Sequence, residues 1–216
     1  MGNLLHRRKA FQGGGRTFAY SGSSQVAFPG VAQSNHSHTL IVGEKYAGIA
    51  NFRYASPNTI ATDQGDTVTL RGSLTGGSDG LAYQGFEFVA SAVATSIEVT
   101  ALLSGGTRGI LLWQITGYDY ENAAGDPSAS GPTSVLSVAM NTLAGDIAIC
   151  GASWASGASG IVGTSGIDTL DGTILINTRM VGALSASNLT AATPLSLSVT
   201  TDAGWKAGAG YFMIYR

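Results

Sequence analysis

His36-Ser37-His38 sets two imidazoles one residue apart. In an extended strand, side chains at i and i+2 share a face, so the pair has the spacing of two transition-metal ligands awaiting a third from elsewhere. The remaining histidine is His6. A metal would therefore need carboxylates from distant segments, and a solvated pair in a loop is the plainer expectation. Asp119, Glu121 and Asp126 share one segment with the carbonyls of Gly117 and Gly125, hard oxygens of the kind calcium accepts, but their spacing fits no EF-hand loop. Asp63 and Asp66, like Asp168 and Asp171, are acids three residues apart beside Gly or Thr, and are expected to accept backbone N–H bonds in turns. A glycosidase would draw its two carboxylates from Glu87, Glu98, Asp119 and Glu121, and no spacing in the sequence sets any pair at the required separation. There is no His-Glu-x-x-His and no phosphate-binding Gly-x-x-x-x-Gly-Lys, and the glycine runs lead into strands rather than helices. No catalytic residue, metal or cofactor is assigned, and a non-enzymatic role is expected.

Aromatic side chains offer a second chemistry, since flat apolar rings stack on sugars while neighbouring acids satisfy hydroxyls. Tyr118, Asp119, Tyr120 and Glu121 form the candidate receptor or glycan surface. Trp113, Trp154 and Trp205 are flanked by strand-like sequence and are expected to pack in the core. The single cysteine, Cys150, excludes an intrachain disulfide, and its alternating apolar surroundings read as a buried small hydrophobe.

The elements that position these groups follow from composition and period. Of 216 residues only 11% are charged, 44% are hydrophobic and 31 are glycine, and the net charge is −2. Such a chain has enough apolar surface to fold and too little charge to be disordered. Near-neutral charge does not suggest nucleic acid as a partner, and no apolar stretch is long enough for a membrane span. Charge is nonetheless uneven. Residues 1–43 carry Arg7, Arg8, Lys9 and Arg16 with no acid, a net of +4, while residues 44–216 carry seven bases against 13 acids, a net of −6. Residues 1–43 are therefore expected to be a basic, glycine-containing arm, with Arg7, Arg8, Lys9 and Arg16 as its charges and Phe11 and Phe18 as apolar anchors. Residues 1–9 are basic but lack the apolar run of a signal peptide.

From residue 40 onward short alternating runs rich in β-branched and aromatic residues recur, over 67–74, 85–89, 95–103, 109–116, 134–140, 146–154, 172–181, 195–200 and 210–215. Glycine-rich turn signals separate them, and no helical stripe interrupts them. Residues 44–216 are expected to form one antiparallel β-sandwich, with 117–134 as its longest loop and 155–169 as a second flexible segment. No strict repeat with a period of 20–50 residues is visible, which argues against a solenoid or propeller.

Low charge, abundant Gly, Ala, Ser and Thr, a basic arm and many short strands together resemble virion structural proteins of tailed bacteriophages. The stretch from Ser96-Ile97-Glu98-Val99 through Gly109–Gly117, then 134–140 and 144–149, is similar to the jelly-roll sandwiches of phage surface proteins. The resemblance implies a capsid decoration (cement) or head-fibre protein, all-β and jelly-roll-like, made in the host cytoplasm and carried on the virion. It further implies a homotrimer whose N-terminal arm lies on the major capsid protein or another virion protein. A receptor-binding tail or head spike, or a carbohydrate-binding module recognising a host-surface glycan, is the alternative.

Overall fold

Every residue of Arg108–Gln114, Ile147–Trp154 and Gly208–Tyr215 is buried. Val135–Thr142, by contrast, alternates exposed and buried along its whole length. A strand covered on both faces loses the period-two pattern that a strand with one wet face keeps. The chain therefore builds two kinds of sheet. The computed structural model describes residues 15–26, 33–53, 57–75, 81–101, 108–126, 135–154, 160–176, 179–201 and 208–216, and its described residues include strands and no helix.

The first eight strands are β1 (Ala19–Val26), β2 (Gln33–Thr39), β3 (Lys45–Arg53), β4 (Pro57–Thr62), β5 (Thr69–Leu74), β6 (Leu81–Val89), β7 (Ala94–Ala101) and β8 (Arg108–Gln114). They form a five-stranded sheet in the order β1-β8-β3-β6-β5 and a three-stranded sheet in the order β2-β7-β4, all antiparallel. The next eight are β9 (Tyr120–Asp126), β10 (Val135–Thr142), β11 (Ile147–Trp154), β12 (Ile161–Ser165), β13 (Thr169–Ile176), β14 (Arg179–Ala186), β15 (Ala192–Thr201) and β16 (Gly208–Tyr215). Their sheets run β9-β16-β11-β14-β13 and β10-β15-β12. Adding eight to each strand number of the first half reproduces the second half without exception.

The duplication is also written in the residues. Thr69-Leu70-Arg71-Gly72-Ser73-Leu74 on β5 corresponds to Thr169-Leu170-Asp171-Gly172-Thr173-Ile174 on β13, and Ser96-Ile97-Glu98-Val99-Thr100 on β7 to Ser196-Leu197-Ser198-Val199-Thr200 on β15. The turns before β3 and β11 repeat atom for atom. Gly43 N–H donates to the Ala90 carbonyl (2.8 Å) and Ala90 N–H to that of Glu44 (3.0 Å); Gly145 N–H donates to Leu189 (3.0 Å) and Leu189 N–H to Asp146 (2.8 Å). Both glycines hold positive φ, +84° and +90°, a conformation that a side chain would strain.

Three apolar cores separate four layers. Tyr46, Ala50, Phe52, Phe86, Phe88, Ile110 and Leu112 of the first five-stranded sheet face Ile60, Ile97 and Val99 of its three-stranded partner. In the second half Cys150, Trp154, Leu184, Phe212 and Ile214 face Leu136, Val138, Met140, Leu197 and Val199. The alternate residues of the two inner sheets, among them Ala47, Ile49, Leu111, Trp113, Ile147, Ile149, Tyr211 and Met213, face each other across the middle. Here β1 packs beside β13 and β5 beside β9. Those two contacts exchange when eight is added or subtracted, the signature of an isologous, two-fold-like interface within one chain.

Several expectations are corrected. The sandwich is two sandwiches, because the repeat spans about half the chain and falls outside the shorter periods considered above. The boundary at residue 43 does not separate arm from body: β1 and β2 pair with β8 and β7, so residues 19–26 and 33–39 belong to the first sandwich. The single strand expected over 172–181 is the pair β13 and β14. The 117–134 and 155–169 segments contain β9 and β12, both hydrogen-bonded into sheets.

Candidate functional site

The inner face of β2 carries Ser34, His36 and His38 toward the first sandwich core, with exposed Gln33, Asn35, Ser37 and Thr39 on the opposite face. Ser24 of β1 closes the same corner. Its Oγ lies 3.0 Å from His36 Nδ1 and 3.1 Å from His38 Nε2, while Ser34 Oγ lies 3.1 Å from His36 Nε2. One proton arrangement satisfies the chain with both rings neutral: Ser34 O–H donates to His36 Nε2, His36 Nδ1–H to Ser24 Oγ, and Ser24 O–H to His38 Nε2. Burial lowers both imidazoles from their ordinary range to about 4, and His36 also feels His38 and the guanidinium of Arg108. Arg108, at the start of β8, is itself buried and donates to the Val99 carbonyl (3.3 Å). The solvated loop pair expected for His36 and His38 is thus overturned: they stand on a strand and His36 is 1% exposed.

The second sandwich supplies the internal comparison. Gln33 pairs with Thr100 and Val135 with Thr200, so Ser34, His36 and His38 correspond to Leu136, Val138 and Met140. Ser24 corresponds to Asp126, whose Oδ2 accepts from Ser137 N–H (2.8 Å), and Arg108 corresponds to Gly208. The second sandwich therefore has aliphatics where β2 has Ser34, His36 and His38, and keeps a hydrogen-bonded polar residue, Asp126, where the first has Ser24. Sequence reading found the His-x-His spacing but not its burial, because β2 carries polar residues on both faces and shows no hydrophobic alternation.

The candidate glycan segment is placed differently. Tyr118 is only 7% exposed, which corrects its reading as a surface aromatic. Its carbonyl accepts from Lys45 Nζ (2.9 Å), and the Arg16 guanidinium sits 5.0 Å over its ring. Asp119 exchanges two backbone bonds with Arg216 (2.8 Å each), and its exposed carboxylate lies 3.7 Å from Lys45. Tyr120 is half-buried, edge-on to Tyr215 with Arg71 4.6 Å over its ring. Glu121 pairs with Arg216 (2.9 Å), which also binds buried Asp146 (3.1 Å). Lys45 and Arg71 of the first half thus meet Tyr118, Asp119 and Tyr120, Glu121 pairs with Arg216 beside β16, and the carboxylates of Asp119 and Glu121 are exposed.

Sequence reasoning did not find the ionic cluster beside them, in which buried Glu87 pairs with Arg71 and Lys45. The three residues come from β6, β5 and β3, far apart in the chain. Glu98 lies on β7 in the outer sheet, so the four candidate carboxylates do not form one pair. Asp63 and Asp66 do accept backbone N–H bonds, from Ser96 (2.8 Å) and Ser91 (3.2 Å). Asp171 instead accepts from the Trp113 indole (2.9 Å) across the halves. Trp113, Trp154 and Cys150 are buried as expected, burial raising the Cys150 thiol well above its usual range.

Of the anchor residues, Arg7, Arg8, Lys9 and Phe11 lie outside the described residues, as do His6 and Trp205. Arg16 is exposed, and Phe18 packs against the central core. Among the described residues no three His, Cys, Asp or Glu side chains converge on a metal position. No protein-family model, curated protein or solved structure matches the chain.

Proposed function

We propose that this chain is a non-enzymatic structural protein of a tailed-phage virion, a capsid decoration or head-fibre component built from two fused jelly rolls. Its assembly as a homotrimer on the major capsid protein or a neighbouring virion protein belongs to the same proposal. In a jelly roll a folded-over strip is wound so that strand 1 pairs with 8, 2 with 7 and 3 with 6. Each half has those three pairings, departing only in that the fifth strand lies beside the sixth.

The observation that carries the reading is the chemistry of the slab's outer faces. β2 presents Gln33, Asn35, Ser37 and Thr39, and β10 presents Val135, Ser137, Ala139 and Asn141. With Glu98 of β7 as the charge beside β2's row, faces so poor in ions can pack on neighbours with little of the desolvation cost of burying charge. The basic residues Arg7, Arg8 and Lys9 precede β1, an edge strand, and supply the attractive charge for an acidic partner surface.

Quantitative mass spectrometry of purified virions from the phage encoding this chain tests the assignment. The chain is expected in stoichiometric, multi-copy amounts alongside the major capsid protein. Its absence from virions purified out of a lysate that contains it would overturn the proposal.

A further inference from the structure

We propose that the aliphatic end of the first sandwich is a docking surface for residues 1–14 of the same chain, which lie outside the described residues. The inference concerns the free chain and is independent of any virion role. Two turns close that end and are bonded side by side: Leu40 N–H donates to the Val93 carbonyl (2.7 Å), Gly43 N–H to that of Ala90 (2.8 Å) and Ala90 N–H to that of Glu44 (3.0 Å). They carry Ile41, Val42, Val89 and Val93, each more than half exposed and together four of the nine large hydrophobics exposed among the described residues. Scattered exposed aliphatics need no explanation, whereas a cluster of them marks an interaction site. The fold does not demand this cluster, because the matching turns of the second sandwich put Ala144 and Asn188 where the first has Val42 and Val89.

The occupant follows from where the chain enters the sandwich and from the residues ahead of that point. Thr17 N–H donates to the Thr116 carbonyl (2.8 Å) and the Arg16 guanidinium lies over the Tyr118 ring. Lys45 N–H donates to Thr116 Oγ1 (2.9 Å), and Lys45 is the strand partner of Val89. Residues 16 and 17 therefore stand beside the aliphatic turns. Five extended residues cover about 16 Å, so Phe11 reaches the patch from Arg16 and leaves Leu4 and Leu5 to span the rest. Charge agrees with this placement. Asp66 accepts from Ser91 N–H (3.2 Å) and Asp63 from Ser96 N–H (2.8 Å), which with Glu44 puts three carboxylates around the turns, while Lys45 is paired with Glu87 (3.5 Å). Arg7, Arg8 and Lys9 stand between Leu4-Leu5 and Phe11, an apolar-basic-apolar order that complements aliphatic turns ringed by acids. A segment tethered to the surface it covers also docks without the loss of translational freedom that a second copy would suffer.

The test is hydrogen exchange read by mass spectrometry on the full chain, a chain lacking residues 1–14 and a Leu4→Ser/Leu5→Ser/Phe11→Ser chain. Amides of the two turns should exchange about 10-fold faster in both altered chains, with the turn at Gly145 unchanged. In a second measurement, Leu5→Cys/Val42→Cys should close a disulfide at monomer mass several times faster than Leu5→Cys/Leu170→Cys. Leu170 is an exposed leucine near the same entry point, since the neighbouring Gly172 packs on Tyr20. Cys150 is buried and stays out of the reaction. Equal exchange in the three chains, equal closure in the two cysteine pairs, or closure only between two chains, which would put a second copy on the patch, would overturn the proposal.

Discussion

Two histidines that must stay neutral to remain buried make folding depend on pH. In the folded chain His36 and His38 titrate near 4, against about 6.5 for an unfolded histidine. Between those values the unfolded chain binds protons that the folded chain refuses, so stability is fully present above the unfolded value and falls as pH drops from about 6.5 toward 4. Arg108, the charged group facing His36, acts in the same direction because its charge disfavours an imidazolium. Denaturant titrations across this window should show the midpoint falling with acidity in the parent chain. His36→Val/His38→Met should flatten that dependence, because Val and Met do not titrate. An equally steep fall in the variant would place the acid sensitivity elsewhere in the chain.

At the level of elements, the inner sheets are packed face to face with little slack. A Cβ on Gly151 of β11 would stand 3.1 Å from Ile49 Cγ2 of β3 and 3.2 Å from Leu111 Cδ1 of β8, where the two halves meet. Gly151→Val should therefore destabilise by roughly 1–3 kcal/mol through overpacking, lowering the thermal midpoint by several degrees. Ala139→Val on the exposed face of β10 should leave it unchanged, and equal effects of the two substitutions would deny the close contact.

The same elements show what was legible in the sequence. The one-sided strands β7 and β10 alternate, and their positions follow from Ser96-Ile97-Glu98-Val99 and Val135–Thr142. The inner strands β8, β11 and β16 fall within 109–116, 146–154 and 210–215, read from sequence as alternating strands, and nothing in Gly109–Gln114 says that its second face meets another sheet rather than water. β1, β2 and β9 were hidden because their pairing partners lie far along the chain and their own residues are polar or small. The repeat was readable in Thr-Leu-x-Gly at 69 and 169 and in Ser-x-x-Val-Thr at 96 and 196, but its period exceeds that of solenoid units. Of the histidine site the spacing was visible and the burial was not, since burial there comes from Ser24 and the opposing sheet.

On the scale of the whole molecule, fusing two sandwiches through their inner sheets turns four faces that need cover into two that face outward. The inner faces are rich in Ile, Leu, Trp, Tyr and Met, and burying them against each other supplies the apolar area that a single three-over-five sandwich would leave wet. The outward faces of the two small sheets carry few charges, Glu98 of β7 among them, and the basic residues Arg7, Arg8 and Lys9 precede β1 in the sequence. Attachment through those residues is the step on which the virion role depends. Residues 1–14 precede β1, so a chain lacking them keeps the sequence of every strand of both sandwiches. The most direct measurement is co-sedimentation of the full chain, and of a chain lacking residues 1–14, with capsids stripped of accessory proteins. The full chain should pellet with capsids, with binding weakened by salt, and the shortened chain should stay in the supernatant while remaining folded. Failure of the full chain to bind, or equal binding by both, would contradict attachment through the N-terminal basic segment.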